Sequence, residues 1–173
     1  MSAELFSLAG RTALVTGGGS GIGQAIAHAL SDAGARIVLA GRREERLRHA
    51  LGHRAGDVLP LDLLAPDAPR EAAGTLADRG HSPDILVNAA GANPRLPADE
   101  IPRAAWNETL TLNLSVPFFM AQALVPAMRD RGWGRIVNIA SLQTVRAFAN
   151  GIAYGAAKGG VAQLTRAMAE AWS

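Results

Sequence analysis

Short apolar runs rich in Val, Ile and Leu alternate along the chain with longer segments whose apolar residues recur at helical spacing. The runs predict buried strands over residues 11–16, 36–40, 57–62, 84–88 and 134–140. The longer segments predict helices over residues 22–33, 43–51, 68–79, 103–131 and 154–173. Gly34 should end the first helix as a C-terminal cap. Pro60, which cannot donate a ladder hydrogen bond, favours an edge position for the third strand.

Strands that alternate with helices predict an α/β fold of the Rossmann type. Its doubly wound parallel sheet would carry helices on both faces, in three αβα layers. The chain shows no internal repeat, low-complexity tract or linker. Residues 1–173 are therefore expected to form a single domain.

Composition narrows the class of protein. The chain is 49% apolar and has no cysteine, which excludes disulfide and thiolate chemistry. We find no apolar run of bilayer-spanning length and no signal-peptide pattern, and so expect a cytoplasmic protein without a membrane partner. The densest basic segment, residues 42–49, interleaves acidic residues. This arrangement is unlike a nucleic-acid-binding tract, so no nucleic-acid partner is expected. No metal site is expected either.

A glycine-rich segment separates the first predicted strand from the first predicted helix. Five of the seven residues from Gly17 to Gly23 are glycine. Helix-start amides lack internal partners, the helix dipole is positive there, and absent side chains let a pyrophosphate approach the backbone. The segment therefore predicts an anion site. The alternative is a tight turn that lets strand and helix pack closely.

The spacing Thr16-Gly17-x3-Gly21-x-Gly23 resembles the cofactor motif of the short-chain dehydrogenases/reductases. Further stretches agree in order: Asp62-Leu63, Asn88-Ala-Ala-Gly91, Asn113, Ser141 and Tyr154-x3-Lys158. Ser141 and Tyr154 are thirteen residues apart, the usual separation in the family. The resemblance covers essentially the whole chain.

This resemblance implies hydride transfer between a nicotinamide cofactor and a carbonyl or secondary alcohol. The catalytic residues that it implies are Asn113, Ser141, Tyr154 and Lys158. The cofactor-binding residues that it implies are Gly17, Gly19, Ser20, Gly21, Ile22, Gly23, Arg42, Asp62, Leu63, Asn88, Ala89, Ala90, Gly91, Tyr154 and Lys158. In the family the Asp-Leu pair contacts adenine, the lysine holds the nicotinamide ribose, and the serine bonds the substrate oxygen.

The residues themselves suit this chemistry. Tyr154 and Lys158 lie at positions i and i+4, hence on one helix face. A tyrosine hydroxyl can give a proton to a developing oxyanion, and a nearby ammonium favours the phenolate. Gly41 stands where an acidic residue would repel a 2′-phosphate, and Arg42 follows it. NADP is therefore the expected cofactor, with NAD as the alternative.

Pro117 lies four residues after Asn113 and has no N–H, so the Asn113 carbonyl lacks its usual helical partner. The family is thought to hold a proton-relay water at this asparagine. We expect Pro117 to expose the carbonyl to such a water. The alternative is a proline kink that only fits the helix to the sheet.

The chain departs from the family pattern at two places. Ala89 replaces the second asparagine of the NNAG motif, so one hydrogen bond near the sheet is expected to be missing. Family members also continue beyond a helix like 154–173 into further strands and a substrate-covering segment, which the fold should therefore lack. Two other functions stay open for such a chain: a nucleotide-binding module without turnover, and an interaction protein.

The substrate is less constrained than the cofactor. Residues 138–143 and 168–173 resemble gluconate 5-dehydrogenase-like members, which favours a sugar acid or polyol over a 3-oxoacyl carrier-protein reductase activity. Arg95 and Arg146, near the expected pocket mouth, are candidates to meet a carboxylate or are simply surface residues. The long helix and the last helix form the usual interface in this family, so a homodimer or homotetramer is expected.

Overall fold

The computed structural model describes residues 6–173. Five parallel strands form one sheet in the order β3-β2-β1-β4-β5. The strands are β1 (Thr12–Thr16), β2 (Arg36–Gly41), β3 (Gly56–Pro60), β4 (Ile85–Asn88) and β5 (Arg135–Asn138). The strand order reverses beside β1, which is typical of a doubly wound sheet.

Within residues 6–173, six α-helices connect and follow the strands. They are α1 (Gly21–Asp32), α2 (Glu44–Leu51), α3 (Ala68–Asp78), α4 (Arg103–Leu110), α5 (Val116–Asp130) and α6 (Ile152–Trp172). Short 3₁₀ turns span Ala98–Glu100 and Leu142–Thr144. The elements follow the predicted order, and the Rossmann-type fold class is confirmed.

Alternate residues of the strands pack into two separate cores. Leu14 of β1 contributes to a cluster with α3, α5 and α6, whereas Ala13 and Val15 contribute to a cluster with α1 and α2. All three residues are fully buried. Helices therefore cover both sheet faces, as the near-continuous apolar strands predict.

The predicted helix over residues 103–131 is not continuous. A π-helical turn, Thr111–Ser115, separates α4 from α5, and the Val116 N–H bonds the Thr111 carbonyl five residues earlier. Pro117 follows this turn and cannot supply the next α-helical N–H. The irregularity expected at Pro117 is therefore a local change from α-helical to π-helical hydrogen bonding just before the proline.

This composite segment, Arg103–Asp130, is by length and composition alone long and apolar enough to cross a membrane. That finding corrects the expectation that no such run exists. Met120, Leu124 and Met128 of the segment are buried in the core against the sheet. An apolar core helix satisfies the same length and composition test.

Two strands end earlier than predicted, and both lie at the edges of the described sheet. β3 ends at Pro60, which pairs with the last residue of β2, and the edge position expected for this proline is confirmed. Asp62 therefore lies in the following loop. β5 ends at Asn138, so Ser141 lies three residues beyond the strand.

Candidate active site

A cavity of about 660 Å³ opens at the carboxyl ends of the strands. Its walls come from the glycine-rich loop, the loops after β2, β3, β4 and β5, and the first turns of α6. Most of the sequence-predicted residues line it: Gly17, Gly19, Ser20, Ile22, Gly23, Arg42, Asp62, Leu63, Ala89, Ala90, Gly91, Ser141, Tyr154 and Lys158. Gly21, Asn88 and Asn113 do not.

The glycine-rich loop packs tightly and also leaves amides free. A methyl group at Gly17 would lie 2.9 Å from the Ala90 Cα, and one at Gly23 would lie 2.5 Å from the Gly17 carbonyl oxygen. Gly17 and Gly21 have positive φ angles of 68° and 54°. Helix α1 has no side-chain cap and no acidic residue in its first turn. Its free N–H groups and the glycine cradle suit a pyrophosphate.

Three arginines line the cavity at the end of β2. Arg42, Arg43 and Arg46 are exposed, and none of them forms an ion pair within residues 6–173. Gly41 ends the strand without a carboxylate. This end of the cavity therefore presents unpaired positive charge. In the next loop, the Asp62 side chain accepts the Leu64 N–H at 3.1 Å.

Thr16 fixes the loop after β4. Its Oγ1 accepts the N–H groups of Ala89 and Ala90 at 3.2 Å each and donates to the Val87 carbonyl at 3.4 Å. Ala89 cannot form a side-chain hydrogen bond, but its backbone N–H donates to Thr16. Asn88 is buried and donates to the Pro117 carbonyl and to Asn138 Oδ1. Asn88 therefore links β4 to β5 and to α5, and its side chain does not line the cavity.

Asn113 is fully buried under the same loop. Its Nδ2 donates to the carbonyls of Ala92 and Thr109, both at 2.9 Å, and its Oδ1 has no hydrogen-bond partner among the described residues. A methyl at Gly91 would lie 2.6 Å from that Oδ1. Asn113 has no exposed surface, so its carbonyl does not face bulk solvent. In the π-helical turn around it, the Val116 N–H bonds the Thr111 carbonyl. A water held at the Asn113 carbonyl stays a prediction.

Ser141, Tyr154 and Lys158 line the same cavity. Ser141 caps the 3₁₀ turn, and its Oγ accepts the Gln143 N–H at 3.1 Å, which leaves the hydroxyl proton for another acceptor. Tyr154 and Lys158 occupy successive turns of α6, and Lys158 Nζ lies 5.5 Å from the centre of the tyrosine ring. Nζ donates to the Ile139 carbonyl at 2.6 Å. Burial lowers the pKa of Lys158 below its ordinary value.

A family model described as short chain dehydrogenase matches residues 11–173. The chain belongs to the short-chain dehydrogenase family. Gluconate 5-dehydrogenase of Gluconobacter oxydans is 39% identical, over 98% of this chain and 68% of the relative. 2-Dehydro-3-deoxy-D-gluconate 5-dehydrogenase of Bacillus subtilis is 40% identical over the same shares.

A solved structure agrees with these relatives. Gluconate 5-dehydrogenase from Burkholderia cenocepacia, in complex with NADP and tartrate, is 37% identical and superposes with a TM-score of 0.92, over 99% of this chain and 69% of that one. This dehydrogenase thus spans about two thirds of the length of its relatives.

Several other residues that line the cavity belong to no sequence motif. Arg46 belongs to no motif and lies in the mixed-charge segment 42–49. It lines the cavity because α2 packs on the glycine loop, where a methyl at Gly19 would lie 3.6 Å from the Arg46 Cβ. Thr16 does not line the cavity, and its role in holding the loop after β4 follows only from its hydrogen bonds. Glu108 and Leu112 also line the cavity, from the helical segment before Asn113.

A small hollow adjoins the cavity at Tyr154. Arg95 lines this hollow and has a positive φ of 52°. Arg146 lines neither space; its guanidinium lies 5.8 Å from the centre of the Phe148 ring. The structure therefore separates the two arginine candidates and brings Arg95 beside Tyr154.

Proposed function

We propose that this short-chain dehydrogenase binds NADP(H) and interconverts a carbonyl compound and a secondary alcohol. The observation that carries the proposal is the convergence of Ser141, Tyr154 and Lys158 on one cavity with the glycine-rich loop. The amides of α1 and the glycine cradle would hold the pyrophosphate, and the arginines after β2 would face the adenosine ribose. A bound nicotinamide supplies or accepts the hydride.

The side chains divide the remaining work. In the reductive direction, the Tyr154 hydroxyl gives its proton to the substrate oxygen as negative charge develops there. The Lys158 ammonium, 5.5 Å from the ring centre, stabilises the resulting phenolate. The Ser141 hydroxyl, whose proton is not used by the turn that it caps, donates to the same oxygen. In the oxidative direction the proton returns to Tyr154.

A Tyr154→Phe substitution tests this chemistry. We expect reduction of a generic diketone by NADPH to fall at least 100-fold, in the range of a lost general acid, while NADPH affinity changes less than threefold. Undiminished reduction by the variant would refute the proton-donor role. NADPH binding without turnover by the unsubstituted chain would favour the nucleotide-binding module instead.

The unpaired arginines after β2 support NADP over NAD. A guanidinium can grip a 2′-phosphate with paired donors. We expect Arg42→Ala to weaken NADPH binding about 10- to 100-fold, as the loss of a charge-assisted hydrogen bond predicts, with little change for NADH. Arg48→Ala is the matched control, because Arg48 pairs with Glu44 outside the cavity. Equal effects of Arg42→Ala on both cofactors in calorimetry would contradict the assignment.

A sugar acid or polyol is the proposed substrate class, and Arg95 supports the acid. Arg95 and Tyr154 line the same small hollow, and we propose that the guanidinium meets a substrate carboxylate held near the reacting oxygen. We expect Arg95→Gln to raise KM for a keto-aldonate at least tenfold and to leave KM for an uncharged diketone unchanged, with Arg146→Gln as the control. Faster reduction of a 3-oxoacyl thioester than of any keto-aldonate would favour the acyl reductase.

We infer that the chain forms homo-oligomers through α5 and α6. Phe118 of α5 stacks on Trp172 of α6 at 6.2 Å, and the neighbouring Phe119 is 48% exposed. We expect Phe119→Asp to shift sedimentation towards a monomer, whereas Val145→Asp, at an exposed apolar residue outside these two helices, should not. A monomeric unsubstituted chain at all concentrations would refute this inference.

A further inference from the structure

The segment that carries Ser141 is attached to Lys158 at two points. Before the serine, the Ile139 carbonyl accepts Lys158 Nζ at 2.6 Å. After the serine, Thr144 Oγ1 donates to the Lys158 carbonyl at 3.3 Å. The same Oγ1 accepts the Ser141 N–H, also at 3.3 Å. One hydroxyl group therefore joins the backbone of Ser141 to the backbone of Lys158.

The turn around Thr144 also fits closely against the start of α6. A methyl group at Gly151 would lie 2.5 Å from Gln143 Oε1, and one at Gly155 would lie 3.3 Å from it. Gln143 thus occupies a notch between two glycines that flank Tyr154 in sequence. This contact brings the turn close to the helix, but the polar links decide where Ser141 stands relative to Tyr154.

The Ile139–Lys158 hydrogen bond and the Thr144–Lys158 hydrogen bond have different relations to the proposed reaction. The proposed function uses Lys158 Nζ for the cofactor and for the phenolate, and this use competes with its bond to the Ile139 carbonyl. The Thr144 hydroxyl touches neither the cavity nor the reacting groups. Its bonds to Ser141 and Lys158 can therefore persist through a catalytic cycle.

We propose that Thr144 is a positioning residue, whose hydroxyl sets the separation between the Ser141 hydroxyl and the face of α6 that carries Tyr154 and Lys158. This inference rests on the proposed function. Ser141 and Tyr154 must reach one substrate oxygen together, and a misplacement of about 1 Å can lower a rate by roughly 100-fold.

Three variants test the proposal. Thr144→Val keeps the side-chain shape and removes both hydrogen bonds, and Thr144→Ser keeps the hydroxyl. Thr165→Val is the matched control, because Thr165 Oγ1 also links the end of β5 to α6: it accepts Asn138 Nδ2 at 3.0 Å and donates to the Val161 carbonyl at 2.7 Å. This second link lies about two helical turns beyond Lys158.

We expect Thr144→Val to lower kcat about 10- to 100-fold, while NADPH affinity and KM change less than threefold. Thr144→Ser should recover kcat to within about threefold, and Thr165→Val should leave it unchanged. Hydrogen exchange followed by mass spectrometry gives a readout that needs no turnover. Thr144→Val should speed exchange of residues 139–144, and Thr165→Val should not.

The outcomes separate this proposal from the proposed function. An active parent chain whose kcat is unchanged by Thr144→Val refutes the positioning role, as does unchanged exchange of residues 139–144. A parent chain that binds NADPH but reduces no carbonyl refutes the proposed function. The positioning role then falls with it, and faster exchange in Thr144→Val would establish the link as structural only.

Discussion

Gly23 offers a sharp test of why the loop after β1 is rich in glycine. Gly23 is the third residue of α1 and has an ordinary helical φ, so alanine there would normally stabilise a helix by about 0.5–1 kcal/mol. In this structure the added methyl would lie 2.5 Å from the Gly17 carbonyl oxygen and 2.9 Å from its carbon. Ordinary contacts begin near 3.4 Å. The loop or the helix must therefore shift by roughly an ångström, and such overpacking typically costs about 1–3 kcal/mol.

Gly74 provides the matched control. It lies inside helix α3, and a methyl there would meet nothing within 4 Å. Both substitutions share the gain in helix propensity, so the difference between Gly23→Ala and Gly74→Ala isolates the steric penalty. We expect that difference to be about 1–3 kcal/mol. For a chain of this size, 1 kcal/mol corresponds to roughly 2–4 °C in Tm.

Urea unfolding and NADPH titration measure the two consequences separately. Gly74→Ala should raise the free energy of unfolding by about 0.5–1 kcal/mol and leave NADPH affinity unchanged. Gly23→Ala should unfold at lower urea than Gly74→Ala and bind NADPH at least tenfold more weakly, because the displaced loop carries the pyrophosphate amides. Equal stability of the two variants, together with parental NADPH affinity in Gly23→Ala, would show that the steric reasoning is wrong.

Three further predictions concern the loop after β4 and the buried lysine. Thr16→Val leaves two loop N–H groups without their acceptor, so the free energy of unfolding should fall by about 2 kcal/mol; an unchanged urea midpoint would contradict this. Gly91→Ala should displace the buried Asn113 amide and lower the free energy of unfolding by about 1–2 kcal/mol, and a parental midpoint would exclude that clash. Burial lowers the pKa of Lys158, so between that pKa and 10.5 the unfolded chain binds more protons and stability rises with pH. The parent should therefore gain stability relative to Lys158→Met as the pH rises through this range, because the variant lacks the titrating group; a pH-independent difference in the free energy of unfolding would refute it.

Much of the fold follows from the sequence, because the strands are buried on both faces and their apolar runs are nearly continuous. The ends of the elements follow less well. The apolar pattern predicts that β5 reaches Ala140, but the strand has four residues and ends at Asn138. It lies at the edge of the described sheet, and its Val137 is 45% exposed. The apolar residues therefore continue beyond the last strand hydrogen bonds. The helix over residues 103–131 shows the reverse case. Pro117 signalled a disturbance, but its form, a π-helical turn that keeps Asn113 buried, depends on packing.

The site was predictable where the motif residues lie at strand ends. Parallel strands bring their carboxyl ends to one edge, so Gly17, Ser141 and their neighbours had to meet there. Sequence spacing cannot separate residues that face a cavity from residues that support it. Asn88 and Asn113 belong to the motifs yet support the loop from inside, whereas Arg46 belongs to no motif and lines the cavity.

The two ends of the cavity are held in different ways. The glycine-rich loop follows β1, whose last four residues are buried, and it is fixed by close backbone contacts with α1 and with the loop after β4. Ser141 follows β5, an edge strand with alternating exposure, and it is fixed by hydrogen bonds to α6. In the glycine-rich loop, the backbone entropy that glycine loses on folding is offset by close backbone packing and by free amides for an anion. At the other end geometry depends on single polar atoms, so the loss of one hydroxyl there should change the rate more than the stability.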